Sequence, residues 1–334
     1  PGGAAIGMML ARELEGFWSL RGNWAEARSW LTQVLEHPES LTRTILRART
    51  CMQLADMHAF LNDYATATAL YSESLSICEE LGDREGLAWL LNRLGWLARE
   101  QGDLETARGN LEASLALCRE LDDEWGIAGA LNTLGAVAVM QEDVAWATRL
   151  LDEGLSRYRS LGDGYSSAWA LNHLGHVAQL DGNYERSKQL QLDSLELFRK
   201  FSDQHLGTAW ALHGLGECTL AQGDFAAARQ WFVTGLSQFH NLGDHAGASW
   251  CMAGLGSAAA LDEEPERAVK LLAAAEALRA SLGARHAPAA RAMRERATAM
   301  ARATLGDEMF AAAWQAGQAL SVEQAIAEAL FGST

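Results

Sequence analysis

The chain has 334 residues, 49% hydrophobic, with four prolines and a formal charge of −16. With 27 basic against 43 acidic residues, and only three lysines, it lacks the clustered positive charge that phosphate contacts need. Direct nucleic-acid binding is therefore excluded, and cationic or neutral partners are favoured. Ala, Leu, Glu, Arg and Gln dominate while Val and Ile are scarce, which excludes any substantial sheet.

No apolar run approaches the ~20 residues of a membrane helix, so no membrane partner is expected. Nothing at the start resembles a signal peptide. Cys51, Cys78, Cys118, Cys218 and Cys251 form no CxxC pair and lie in apolar helical patterns, where cysteine behaves as a small hydrophobe. The expectation is a reduced, cytoplasmic chain. It opens Pro1-Gly2-Gly3 without a Met, and reads as a piece of something larger.

Taken in chain order, the first predicted helical hairpin covers about residues 8–40 and turns at Arg21-Gly22-Asn23-Trp24, with small Ala27 following. The second turns at Leu61-Asn62-Asp63-Tyr64, with Ala67. From Leu81-Gly82-Asp83 onward the period is plain. That tripeptide returns as Leu121-Asp122-Asp123, Leu161-Gly162-Asp163, Phe201-Ser202-Asp203 and Leu242-Gly243-Asp244, at steps of 40, 40, 40 and 41 residues. The extra residue falls in the loop near Ser202–Leu206, where an insertion costs little.

Between these loops Leu91-Asn92-Arg93-Leu94-Gly95 recurs as Leu131-Asn132-Thr133-Leu134-Gly135 and Leu171-Asn172-His173-Leu174-Gly175. Leu212-His213-Gly214-Leu215-Gly216 and Met252-Ala253-Gly254-Leu255-Gly256 continue it. A turn then follows in each unit: Gln101-Gly102-Asp103, Gln141-Glu142-Asp143, Asp181-Gly182-Asn183, Gln222-Gly223-Asp224 and, last, Glu263-Glu264-Pro265. Gly supplies the left-handed residue that ends a helix, and Asp or Asn caps the next.

The glycine of Leu94-Gly95 and its counterparts is mid-helix, where it costs ~1 kcal/mol against Ala. That cost makes sense only where a neighbouring helix approaches closely. Ala107, Ala147, Ser187, Ala228 and Ala268 fit the same logic, while Ala55 and Glu15 replace the glycine in the first two units.

After Gly283 the period stops. Pro288 is expected to open a helix to about Leu305, Gly306-Asp307 a second to Gly317, and Ser321-Val322-Glu323-Gln324 a capping box before a last short helix. The expected organisation is a tandem array over 1–283, about seven hairpins, with capping helices over 284–334.

These landmarks resemble the tetratricopeptide repeat in its longer form, about 40 residues with a Leu-Gly-Asp inter-repeat loop. The resemblance implies an all-α, right-handed superhelix, or α-solenoid, with a C-terminal helical cap. The segments Phe17-Trp18-Ser19-Leu20-Arg21-Gly22-Asn23, Ala273-Ala274-Ala275-Glu276-Ala277-Leu278-Arg279 and Ala319-Leu320-Ser321-Val322-Glu323-Gln324-Ala325 narrow it further. They are similar to the repeat region of bacterial LuxR- or AfsR-like transcriptional regulators built on a signalling (STAND, NB-ARC-type) ATPase. In that family an ATPase domain precedes the repeats, and it is missing from this sequence. The implied role is a sensor or oligomerisation arm, with no enzymatic activity and no cofactor.

In such arrays the first helix of each unit lines a concave groove. Helical spacing puts Trp89, Asn92, Trp96 and Arg99 on one face, with Leu91, Leu94 and Ala98 packed opposite. Following the array gives a column Trp89, Gly129, Trp169, Trp210, Trp250 beside Asn92, Asn132, Asn172, His213, Ala253. Trp and Asn together could hold an extended peptide, a protein segment or a small effector. Equally, the Trp residues could fill gaps between hairpins and the Asn residues bond a neighbouring loop.

His176 and Glu217 should approach His213, a trio that could bind zinc, read pH or line the groove. It meets no ligand-spacing rule, so no metal is assigned. The basic stretch Arg285, Arg291, Arg294, Arg296, Arg302 reads as a solvated face or a docking surface for an acidic neighbour. No catalytic constellation and no phosphate-binding loop is present: the glycines are periodic, and Asp122-Asp123 and Glu263-Glu264 belong to turns. Two readings follow: a binding sensor, or a passive scaffold that holds a homo-oligomer together.

Overall fold

Apolar residues at helical spacing, interrupted about every twenty positions by a turn of the Gly-Asp kind, leave the chain little choice but paired helices. In the computed structural model the described residues are 3–21, 23–201, 206–282 and 288–331. Among them are sixteen α-helices, one 3-10 turn (Pro38–Leu41) and no strand. Seven successive hairpins are formed by α1 (Gly3–Arg21) and α2 (Trp24–Glu36), α3 (Ile45–Phe60) and α4 (Tyr64–Leu81), and α5 (Arg84–Glu100) and α6 (Leu104–Glu120). They continue with α7 (Glu124–Met140) and α8 (Val144–Ser160), and α9 (Gly164–Leu180) and α10 (Tyr184–Arg199). The last two are α11 (Leu206–Ala221) with α12 (Phe225–Leu242), and α13 (His245–Leu261) with α14 (Pro265–Leu282). Two further helices follow, α15 (Pro288–Gln318) and α16 (Val322–Phe331).

The turns work as their residues dictate. Gly82 has φ 68°, and the Asp83 carboxylate accepts from the Gly86 amide at 3.0 Å, satisfying one of the orphan donors that open α5. Asp63, Asp103, Asp143, Asp163, Asn183, Asp224 and Asp244 cap their helices in the same way. Asn62, Asp122, Glu142 and Glu263 occupy the left-handed position without being glycine. Asn23 departs from the expectation: it makes no cap, and its side-chain amide donates to Glu26 at 3.3 Å.

Mid-helix glycines mark the closest approaches. A Cβ on Gly95 would lie 2.5 Å from Leu111 Cγ, on Gly135 2.5 Å from Leu151, and on Gly216 2.5 Å from Phe232. Ala107, Ala147, Ser187, Ala228 and Ala268 are fully buried beside them. A serine tie inside the hairpins accompanies this packing: Ser74, Ser114 and Ser194 each donate to a first-helix carbonyl, of Ala48, Ala88 and Ala168, at 2.7–2.8 Å. The packed side of α5 is rotated from the expected one. Ala88, Leu90, Gly95, Leu97 and Ala98 are buried, whereas Leu91 and Leu94 are only partly covered. The reason is that α5 packs on both its own partner α6 and the preceding α4, which widens the apolar sector.

Contacts divide the chain into two compact units, Pro1–Val137 with Arg149–Ser166, and Ala138–Thr148 with Ser167–Thr334. In the second, Ala297, Ala301, Phe310 and Ala313 of α15 and Ala325, Ile326 and Ala329 of α16 join the core of α13 and α14. Helix α15 is broken at Gly306 (φ 75°, ψ 164°), where the sequence places a helix start. The Ser321 box closes reciprocally: Ser321 N–H donates to Gln324 Oε1 at 2.9 Å, and Gln324 N–H to Ser321 Oγ at 3.2 Å. The insertion at 202–205 and the 283/284 boundary lie outside the described residues.

Candidate functional site

In the first unit, the face of α5 predicted from spacing is open to varying degrees. Trp89 is 42% exposed; its indole N–H donates to Asp123 Oδ2 at 3.3 Å and its ring lies 6.1 Å from that of Trp125. Trp125, 45% exposed, donates in turn to Asp163 at 2.8 Å. Each aromatic thus spans from its own first helix to the aspartate that caps the next one. Asn92 is half-buried, Trp96 packs at 5.5 Å on Phe60, and Arg99 pairs with Glu100.

Gly129 is the gap in the Trp column. A Cβ there would stand 3.5 Å from the Tyr158 hydroxyl and 4.0 Å from Asn92 Nδ2. Tyr158 is buried, and burial first, then the Asp163 charge, pushes its phenol well above the ordinary range, so it stays a neutral donor. Asn132 Oδ1 is buried without a hydrogen-bond partner. Beneath, Arg93 Nε reaches Asp56 Oδ2 at 3.5 Å, and Asp56 accepts from the Tyr71 hydroxyl. The Tyr158 hydroxyl and the Asn92 amide therefore border the space that Gly129 leaves.

In the second unit the same positions are turned inward. Trp169 meets Phe198 edge-on at 5.1 Å, and Trp210 meets Phe239 edge-on at 5.2 Å; both indoles are only partly accessible. Asn172 is 2% exposed, which corrects the expectation that it lines an open face. Its Nδ2 donates to Gln191 Oε1 at 2.8 Å and its carbonyl accepts from Gln191 Nε2 at 3.1 Å. Gln191 reaches it because Gly175 and Gly214 have no side chain: a Cβ on either would clash with the Gln191 amide. His213, 4% exposed, is likewise enclosed, with Trp210 at 5.7 Å, Phe232 at 5.8 Å and Trp250 at 6.3 Å.

The trio His176, His213 and Glu217 does assemble. Nδ1 of His176 lies 3.5 Å, and Nδ1 of His213 3.8 Å, from Glu217 Oε2. Burial lowers His176 to about 4 and His213 to about 3, the latter helped by His176, and raises Glu217 to about 8. At pH 7 all three are neutral, so these distances are not ion pairs, and His213 Nδ1 has no hydrogen-bond partner. Among the described residues no group of three His, Cys, Asp or Glu side chains is arranged to hold a metal ion.

All five cysteines are buried and free; burial pushes Cys51 to about 12 and Cys218 to about 11, far from thiolate chemistry. Of the basic stretch, Arg291, Arg296 and Arg302 are exposed, whereas Arg294 is partly buried and Arg285 lies outside the described residues. Sequence reasoning missed Tyr158, Gln191 and Arg279, although a signal existed. Gln191 stands in the column Leu111, Leu151, Gln191, Phe232, Leu272, and Tyr158 in the column Cys78, Cys118, Tyr158, Phe198, Phe239. A residue out of character with its column names the place where packing changes.

Comparison with known proteins fits this architecture. No curated protein matches the sequence significantly. The sequence profile described as tetratricopeptide repeat matches residues 41–120 and 166–239. Among solved structures, a Rap protein complexed with competence and sporulation factor superposes with a TM-score of 0.63 at 13% identity, covering 98% of this chain and 100% of that one. A signal transduction ATPase with numerous domains (STAND) protein with a tetratricopeptide repeat sensor, from Pyrococcus horikoshii, gives 0.57 at 16% identity. That match covers 98% of this chain and 49% of the ATPase's. No described helix is long and apolar enough to cross a membrane. The described residues form an all-α array of helical hairpins, and residues 41–120 and 166–239 of it carry tetratricopeptide repeats.

Proposed function

We propose that the chain is a non-catalytic sensor module that receives a peptide or protein segment on its first-helix face, in the service of a signalling ATPase-type transcriptional regulator. The observation that carries this reading is the set around Gly129. Asn92 and Tyr158 border a space with no side chain of its own. Asn132, one turn along the same helix, has a buried carbonyl oxygen without a partner, and Trp89 stands exposed one turn before Asn92. Amides satisfy the backbone groups of an extended chain, and an indole covers its apolar side chains. The similarity to a Rap protein complexed with competence and sporulation factor, and to a STAND protein with a tetratricopeptide repeat sensor, supports the regulatory setting.

Selection from a phage-displayed random peptide library, followed by fluorescence anisotropy on the best binder, tests it. Trp89→Ala and Asn92→Ala should each weaken binding on the order of tenfold or more. Arg108→Ala, on the outer face of α6, should leave it unchanged. Equal affinities in all three variants would overturn the site.

The scaffold reading draws support from the second unit alone, where Trp169 and Trp210 are committed to packing on Phe198 and Phe239. Trp169, Asn172, Trp210 and His213 there act mainly by holding hairpins in place. A mass that rises with concentration in the absence of any peptide would favour that reading.

A further inference from the structure

Arg279 sits in the interior of α14, where the repeat calls for an apolar residue. Its column runs Cys78, Cys118, Tyr158, Phe198, Phe239, Arg279, and its guanidinium lies over the Trp250 ring, Cζ 5.4 Å from the centroid. Phe198 and Phe239 meet Trp169 and Trp210 from the same column. Arg279 is 2% exposed, yet its Nε, Nη1 and Nη2 have no hydrogen-bond partner. Burial, with Arg294 second, lowers its pKa only to about 10, so it remains charged at neutral pH. Arg294, on the neighbouring α15 and partly accessible, adds a buried and unpartnered Nη1. Glu276 stands exposed on the Arg279 helix and acts on both arginines only through its charge.

A buried cation is retained when something supplies the opposite charge; the face of an aromatic ring offsets only part of the lost hydration. Two guanidinium groups with unused N–H donors, one at depth and one nearer the surface, match the paired oxygens of a carboxylate or phosphate. We propose that Arg279 and Arg294 form an oxyanion-binding site against the Trp250 ring, which takes a carboxylate or phosphate group. The inference goes beyond the binding reading: the site lies in the second compact unit and stands independently of the space at Gly129. Because Arg279 is closed off, Arg294 is the group the anion meets first, and movement of its side chain admits the anion.

The test is a titration of the chain with inorganic phosphate and, separately, with N-acetylglycine. It is followed by tryptophan fluorescence and melting temperature, at ionic strength held constant with sodium chloride. A saturable response to either anion beyond that of chloride is expected, and the stronger of the two identifies the group as phosphate or carboxylate. Arg294→Met should weaken the response on the order of tenfold, the worth of charge-assisted hydrogen bonds to one guanidinium. Arg279→Met should abolish it without lowering the melting temperature, since it removes an unpaired buried charge. A wild-type chain that treats both anions as it treats chloride overturns the site, and so does an unchanged response in Arg294→Met, whatever the folding of Arg279→Met. Library-selected peptides that bind a wild-type chain which treats both anions as it treats chloride would sink the oxyanion site while leaving the binding reading intact.

Discussion

Glu217→Gln is the substitution with the most specific expected consequence. In the fold the Glu217 carboxyl is held protonated to about pH 8 by burial, while in the unfolded chain it ionises near its ordinary 4.5. Its neighbours His176 and His213 have the opposite shift, to about 4 and about 3 from 6.5, also by burial. Between roughly pH 4 and 6.5 the histidines bind protons only in the unfolded chain, so stability rises with pH, opposed by Glu217 above 4.5. From 6.5 to 8 the histidines are neutral in both states. Only Glu217 still differs, and the folded chain is then the one that holds the extra proton.

Stability must therefore fall with rising pH by ~1.4 kcal/mol per unit, about 2 kcal/mol over that window. Cys218 and Cys251 pack nearby but are pushed further up and stay silent there. Gln is neutral at every pH and nearly isosteric. The stability difference between variant and wild type should thus grow by about 2 kcal/mol in the variant's favour from pH 6.5 to 8. Denaturant unfolding followed by tryptophan fluorescence at four pH values measures it, and other titrating groups cancel in the difference. A difference that is flat with pH would show that Glu217 ionises normally and that the enclosure is not dry.

Other consequences follow from the packing. Gly216→Ala places a Cβ 2.5 Å from the buried Phe232 ring, which Gly254 confines from another side, and should cost about 1–3 kcal/mol. An unchanged melting temperature would refute the close helix approach there. Glu142 is exposed and holds the left-handed position that Gly102 and Gly182 fill in neighbouring turns. Glu142→Gly should raise stability by about 0.5–1 kcal/mol, net of the added freedom of the unfolded chain. A lower melting temperature would contradict it. Trp89→Ala should melt within about 2 kcal/mol of wild type because its ring is only part-buried.

The turns, caps and mid-helix glycines were legible because each obeys a local rule: Gly82 must take positive φ, Asp83 must cap, and Gly95 must admit Leu111. The break at Gly306 and the Ser321 box were legible for the same reason. On α5 the accessible positions of Trp89 and Asn92 followed from spacing along a single helix, whereas the packed side, with Leu91 and Leu94 only partly covered, did not. Asn172 did not, because its burial depends on a residue nineteen positions away. Gln191 replaces the leucine of two earlier hairpins and draws the Asn172 amide inward. Trp169 and Trp210 changed role similarly, once Phe198 and Phe239 took the positions that Cys78 and Cys118 hold earlier. Spacing within a helix identifies a face; whether that face is open is decided by the bulk on its partner.

A crystal structure of the chain with its library-selected peptide tests the central claim most directly. Peptide density is expected between Trp89, Asn92 and Asn132, over the space at Gly129, with main-chain hydrogen bonds to one or both amides. A peptide seated on the second-helix side, with that space unchanged, would contradict it.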